Sequence, residues 1–394
     1  MGIEYGGHLK SEWMLDPAVA YLNHGTVGAP PRRVIAEWRR LQDEIERQPA
    51  QFLLRELADI DAVGKPARPH MRVAAERVAA FVGCSPDNFG FVDNATTGAN
   101  AVLRSFPFGP GDEIVYANLG YGGVNHAVEY VAGRTGATTR VIELPNPGAP
   151  EDEFVNAVAD GLDVNTTMLV IDHITSQTAL VLPLRRIAEV CHEAGVLVLA
   201  DGAHAPGAIE LDVESLGVDW YTANLHKWGF TPRSSGFLWA APEHHDVLHP
   251  TVISWGWRNG MAAEFDLLGT RDPSAWLTSP FALDLLVEWG GADLMRHNHD
   301  MVMRQARRLA DAWGTVFDTP ESMIGPMAYL RLPQSLGSKK SEAVALQESL
   351  LRDDHIEVPL FADEGRLTCR ISAQIYNDDS DFDRLRDAIL HRTT

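Results

Sequence analysis

GVDWYTANLHKWGF, residues 217–230, opens as an apolar, β-rich run and closes on a lysine set between a histidine and a tryptophan. Its first half has the composition of a strand entering the middle of a sheet. Its second half delivers an ammonium, Lys227, to the end of that strand. Burying a lysine is costly unless its charge is paired or used. A desolvated lysine also gives up its proton more readily and becomes a nucleophile towards carbonyl carbon. The plain alternative is a loop lysine with its stem on the protein and its head in water. The surrounding chain decides between them.

Outward from this stretch, short apolar runs alternate with helical patterns. NFGFVDN (88–94), DEIVYAN (112–118), TRVIELP (139–145), TMLVIDH (167–173), VLVLADG (196–202) and SGFLWAA (235–241) read as six further strands. Helices are expected around 98–105, 124–134, 151–161 and 184–194. Another is expected in HMRVAAERVAAFVG, where Met71, Ala74, Val78, Ala79 and Val82 share one side and Gly83 is the stop. Strands alternating with helices predict an α/β fold with a mostly parallel seven-stranded sheet covered on both faces. The pattern changes near residue 272. The expected organisation is a large α/β domain over 61–272 and a small α+β domain over 273–394, with segment 1–60 packing on the latter.

The bulk composition narrows the partners. A formal charge of −21 argues against nucleic acid or an anionic membrane surface, since both need clustered Lys and Arg. The three cysteines, Cys84, Cys191 and Cys369, are far apart, show no metal-ligand spacing and do not suggest a disulfide framework. No segment has the uninterrupted apolar length of a membrane span, and the first thirty residues do not read as a signal peptide. A reducing, cytoplasmic setting is expected, with no metal.

Ligands of open α/β sheets bind beyond the carboxyl ends of the strands. Asp201 and His204 stand there in DGAHAPG (201–207), and Asp172, His173 and Ser176 in DHITSQTALVLPL (172–184). NATTGAN (94–100) opens a helix with Ala95, Thr96 and Thr97. A carboxylate at one strand end and a lysine at the next can face a single ligand. Pyridoxal phosphate asks for both, a lysine for its carbonyl carbon and a carboxylate for its pyridine nitrogen. It also asks for a phosphate cradle, which backbone N–H groups at a helix start and the Thr96 hydroxyl would supply. Asp201 alone would pass for a strand-end cap, and NATTGAN alone for an ordinary helix start.

With these residues the chain resembles the class V aminotransferase family of fold-type-I pyridoxal phosphate enzymes, in particular its isopenicillin N epimerase-like branch. YLNHGTVGAPP (21–31), DHITSQTALVLPL, DGAHAPG and HKW (226–228) carry the likeness, extended by LGTRDPSAW (268–276) and CRISAQIYND (369–378). The resemblance implies Lys227 as the covalent anchor, Asp201 as partner of the pyridine nitrogen and His204 near the ring oxygen, with Ser176 touching the same atom. Thr96, Thr97, Asn224 and His226 would hold the phosphate. Asp172 is placed in the same cofactor site, and Tyr121 corresponds to the aromatic that stacks on the ring. Thr270 would reach the phosphate of a neighbouring subunit, which implies a homodimer with shared active sites.

Arg370 is expected to clamp a substrate α-carboxylate. On an alternating strand it faces opposite to Cys369 and Ile371, and a planar guanidinium suits a carboxylate. The resemblance places Asn23 and His24 beside the same carboxylate. His126 and His173 read as structural. Trp255, Trp257 and Trp276 read as core, with one or two free to line a pocket.

The expected reaction is at the α-carbon of an amino acid or amino-acid-derived metabolite, epimerisation first, with C–S β-elimination, decarboxylation or transamination as alternatives. Persulfide-forming desulfuration is disfavoured, because LQESLLRDDHIEVPLF (346–361) has no cysteine ahead of Arg370. A cofactor-binding regulator and a (β/α)8 barrel with a Schiff-base lysine are the rivals. The first lacks a basic DNA-binding segment, and the second needs repeats that continue to the C-terminus.

Overall fold

The computed structural model describes residues 3–59 and 68–393. In chain order its strands are β1 (Ala20–Tyr21), β2 (Phe89–Val92), β3 (Glu113–Ala117), β4 (Thr138–Ile142), β5 (Thr166–Asp172) and β6 (Leu197–Asp201). They continue as β7 (Trp220–Asn224), β8 (Gly236–Ala240), β9 (Met327–Arg331), β10 (Ile356–Glu357), β11 (Leu360–Asp363) and β12 (Arg366–Ser372). The main sheet has the order β2-β8-β7-β6-β5-β3-β4. β3 to β7 run parallel, and β8 lies antiparallel between β2 and β7. This is the mostly parallel seven-stranded sheet that the alternating pattern predicts.

Both faces of the sheet are covered, which is why its strands read as continuous apolar runs. In β5, Leu169 and Ile171 enter one core while Met168 and Val170 enter another on the opposite face. Helix Leu184–Glu193 covers the first face with Leu184, Ile187, Ala188 and Cys191. Helices Ala95–Ser105 and Gly122–Thr135 cover the second with Ala99, Val102, Val124 and Val128. Each fully buried Val, Leu or Ile contributes roughly 1.5–3 kcal/mol, so the strand ends are held in a stiff frame.

A three-stranded antiparallel sheet, β11-β12-β9, is built from the later part of the chain. Helices Ala292–Trp313, Lys340–Asp354 and Asp379–His391 share a separate core with it, through residues such as Val302, Leu309, Leu350, Ile371 and Leu385. β1 pairs in parallel with β10, Ala20 opposite Ile356, and brings Ala20 and Leu22 into that core. The expected boundary between 60 and 61 lies outside the described residues.

Two tryptophans depart from their expected place. Trp255 and Trp257 are 70% and 47% exposed, whereas Trp276 is buried with Nε1 donating to Val92 O. Glu264 explains the difference: it accepts from Arg258 N and pairs with His249, pinning both ends of the loop between them. His126 is exposed beside Glu129. His173 is buried with Nδ1 2.9 Å from Tyr221 Oη, so both histidines sit in structural contacts, as expected.

Candidate active site

The parallel register places two carboxylates side by side, since Asp172 and Asp201 are direct partners at the carboxyl ends of β5 and β6. Asp201 Oδ1 accepts from Ala203 N at 2.9 Å, while its buried Oδ2 has no hydrogen-bond partner. Burial, the larger influence, raises the Asp201 pKa, and the Lys227 charge opposes it. Asp172 spends both oxygens on backbone, accepting from Tyr121 N at 3.2 Å and Ser176 N at 3.3 Å. Its pKa is raised well above the usual range, first by burial and then by Asp201.

β7 hands the chain to Lys227 three residues past Asn224. Lys227 Nζ lies 3.2 Å from His204 Nε2. Burial first, then the Arg370 charge, lower the lysine pKa to about 8 against the pull of Asp201 and Asp172. His204 is buried, Nδ1 without a partner, and burial followed by the Lys227 charge holds it well below its ordinary value. A neutral imidazole therefore faces a lysine poised to lose its proton. The lysine backbone is held as well: His24 Nε2 is 3.0 Å from Lys227 O. Gly28, at φ +65°, lets the N-terminal chain pass where a Cβ would meet His226 O at 2.0 Å.

The helix start beside them is organised by asparagines. Asn94 caps helix Ala95–Ser105 by accepting from Thr97 N at 2.9 Å, and Asn224 Oδ1 accepts from Ala95 N at 2.9 Å. Those two donors are thus engaged within the protein. Thr96, Thr97 and His226 also line the cavity, with Thr97 Oγ1 donating to Asn94 Oδ1 at 3.2 Å and His226 Nδ1 3.0 Å from Ser235 O. Gly98 is required by packing, because a Cβ there would meet Thr222 Oγ1 at 2.0 Å.

Arg370 reaches the site from β12 and is only 3% exposed. Its Nη1 donates to Ser176 O and its Nη2 to Thr26 Oγ1 at 2.6 Å, while Nε has no partner. Burial lowers the guanidinium pKa to about 10. The strand alternation correctly separates it from Cys369. Its side is a closed cavity wall.

All of these groups line one cavity of about 810 Å³. Ala95, Thr96, Thr97, Tyr121, Asp172, Ser176, Asp201, His204, Asn224, His226, Lys227 and Arg370 meet there. Three expected residues do not line it. Asn23 Nδ2 donates to Glu357 at 2.7 Å, and His24 is fully buried between Tyr376 Oη and Lys227 O. Thr26 and Val27, one turn onward, take the wall instead. Thr270 is exposed, away from this chain's own cavity. Sequence reasoning missed Thr26, Arg233, Ser234, Pro359 and Phe361. The YLNHGTVG stretch pointed to the first; nothing periodic pointed to the others.

The donor set fits pyridoxal phosphate. A lysine of lowered basicity, an unpartnered buried carboxylate oxygen and hydroxyls at a helix start share a cavity of ligand size.

Residues 59–385 match the Aminotransferase class-V family. The probable chloroplastic L-cysteine desulfhydrase of Arabidopsis thaliana is 34% identical, over 95% of this chain and 83% of the relative. The isopenicillin N epimerase of Amycolatopsis lactamdurans is 30% identical, over 96% of both chains. A solved structure of a C-DES mutant, with glycine covalently linked to its pyridoxal phosphate cofactor, superposes with a TM-score of 0.75 at 21% identity, covering 94% of this chain and 96% of that one. The chain belongs to the aminotransferase class-V family and is a pyridoxal phosphate-dependent enzyme.

Proposed function

We propose that this enzyme removes the α-proton of a small amino acid and expels a sulfur group from its β-carbon, a C–S lyase reaction. The α-proton step is supported by the Lys227–His204 contact of 3.2 Å beside Asp201 and Arg370, and the sulfur step by the 34%-identical relative named a desulfhydrase. When bound, the cofactor supplies an electron sink for the bond broken at Cα. Lys227 would anchor the cofactor covalently and, as a free amine of lowered basicity, would take the α-proton. His204, kept neutral by burial and the Lys227 charge, would orient Lys227 Nζ by accepting a hydrogen bond at Nε2. Asp201 would pair Oδ2 with the pyridine nitrogen, and Ser176 would sit at the ring oxygen. Thr96, Thr97 and His226 would hold the phosphate, and Tyr121 would cover the ring. Arg370 would hold the α-carboxylate. The products are a thiol, a 2-oxo acid and ammonia, with one water consumed.

Two facts favour sulfur elimination over persulfide chemistry. A 34%-identical relative is named a desulfhydrase, and no cysteine lines the cavity. Cys84, Cys191 and Cys369 are each pushed up to about 12, first by burial, so none is a ready nucleophile. Epimerisation, the first expectation from sequence, is the second reading. The 30%-identical epimerase supports it, and Tyr121 adds a phenol to the cavity wall that would return the proton. A homodimer is part of the proposal, with Thr270 entering the cavity of a second copy.

The test is incubation with L-cysteine, S-substituted cysteines and other L-amino acids in D2O, followed by NMR. Pyruvate from a cysteine substrate is the expected result. Inversion of Cα without pyruvate would move the assignment to epimerisation. Absence of Cα exchange with every amino acid would end both readings.

A further inference from the structure

Arg233 shares the cavity with Arg370, and neither guanidinium has a carboxylate partner among the described residues. That is unusual in a chain with 54 acidic residues against 33 basic ones, where an arginine without an acid is easily supplied with one. The two approach one turn from its ends. Arg370 donates to Thr26 Oγ1 at 2.6 Å, and Arg233 donates to Gly28 O at 3.3 Å. Two residues of chain span at most about 7 Å, so both arginines fasten to one short stretch of chain and line the same cavity of about 810 Å³. Arg233 is exposed, at the mouth, whereas Arg370 is buried.

The backbone that presents Arg233 is held in an uncommon conformation. Phe230 (φ +61°) and Ser234 (φ +66°) both adopt left-handed values in the short connection from β7 to β8. Such residues cost free energy and persist where the surroundings over-determine them, often at ligand sites. The anchors are visible here: Ser235 O accepts from Leu225 N and His226 N, and Ser235 Oγ is 2.7 Å from Ser279 Oγ.

We propose that Arg233 is a second anion subsite, so that the preferred substrate carries a negative group at the far end of its side chain besides its α-carboxylate. The assignment rests on the reading of Arg370 as holder of the α-carboxylate. It narrows the substrate class to amino acids with an acidic or oxyanionic terminus, an S-carboxyalkyl cysteine being one form.

Binding of succinate, glutarate and adipate to the holoenzyme, each against the monocarboxylate of equal length, tests this by calorimetry without turnover. At least one diacid should bind roughly tenfold tighter than its monoacid, with the preference shrinking as salt is added. Arg233→Gln should bring that ratio close to one, and Arg233→Lys should restore only part of it. No diacid preference in the unaltered holoenzyme, or a ratio that survives Arg233→Gln, would overturn the proposal. So would an Arg233→Gln protein whose loss is in cofactor affinity while the diacid ratio stays intact, since the arginine would then serve the phosphate. A failed C–S lyase reading would show separately, in the D2O experiment.

Discussion

Asp172 and Asp201 are register partners on adjacent parallel strands, yet only Asp201 keeps a side-chain oxygen free. Asp172 ties the Tyr121 and Ser176 loops together through their amides, whereas Asp201, which also lines the cavity, leaves Oδ2 buried without a partner. Neighbouring acids of equal burial thus take different tasks through their hydrogen bonds.

Asp201→Asn should leave the cofactor bound through Lys227 but cut turnover by about 10²-fold or more, as for loss of a preorganised charge at a reacting centre. Borohydride reduction and peptide mapping should still find the cofactor on Lys227. Near-normal turnover would show that Asp201 only caps its strand.

Asp172→Asn should behave differently. Its raised pKa, from burial and then Asp201, means that ionising it opposes the fold. For an acid raised in the folded state, the native protein holds the extra proton, so stability falls as pH rises above the ordinary carboxylate value. The substitution removes that penalty. Because asparagine also loses one of the two backbone contacts, its net effect on Tm in protein freed of cofactor should be more favourable at pH 7 than at pH 4. An equal shift at both would refute a role for ionisation.

The main sheet was legible because its strands are buried on both faces and announce themselves as apolar runs. Asp201 and Lys227 were legible because buried charge at consecutive strand ends has few structural uses. Thr26 was not, since its partner Arg370 lies 344 residues away and no local pattern encodes that contact. His24 was placed beside the substrate; it lies fully buried, with Nε2 3.0 Å from Lys227 O, a contact that no local pattern announces. Trp255 and Trp257 were read as core by residue type, a rule that fails in a loop pinned at both ends by Glu264.

Lys227 should titrate in the reach of ordinary buffers. With its pKa lowered to about 8, the free amine needed to capture the cofactor accumulates as pH rises through that value. Capture by cofactor-free protein should quicken from pH 6.5 to 8 and level off by about pH 9. A rate still climbing steeply at pH 10 would place the lysine at its usual value of about 10.4. The first cause of the shift is burial and the second is Arg370, so Arg370→Gln should move the midpoint upward.

Arg370→Ala should raise KM for amino acids strongly while leaving the visible absorbance of the lysine-bound cofactor in place. Removing a buried, charge-assisted contact is worth about 2–5 kcal/mol. Arg370→Lys should recover little, because a point charge cannot reproduce the fork that meets Ser176 O and Thr26 Oγ1. An amine substrate without the carboxylate should feel the change far less. Unchanged amino-acid kinetics would mean that the carboxylate is held elsewhere.

Val252, Ile253, Trp255 and Trp257 together expose a large apolar surface on one loop, at 47–70% of each residue. Thr270 is exposed as well. Tryptophans are frequent anchors of protein–protein contacts, and a second copy of the chain is the occupant proposed, because it would also bring Thr270 to the phosphate end of the cavity. Light scattering should give a dimer for the unaltered enzyme. Trp255→Asp combined with Trp257→Asp should shift it to monomer and lower cofactor affinity in the same step. Thr270→Ala should keep the dimer and weaken cofactor binding alone, by about 1 kcal/mol for a lost hydrogen bond. A monomeric unaltered enzyme that holds its cofactor fully would disprove the shared site. A dimer indifferent to the tryptophans would place its interface on another face.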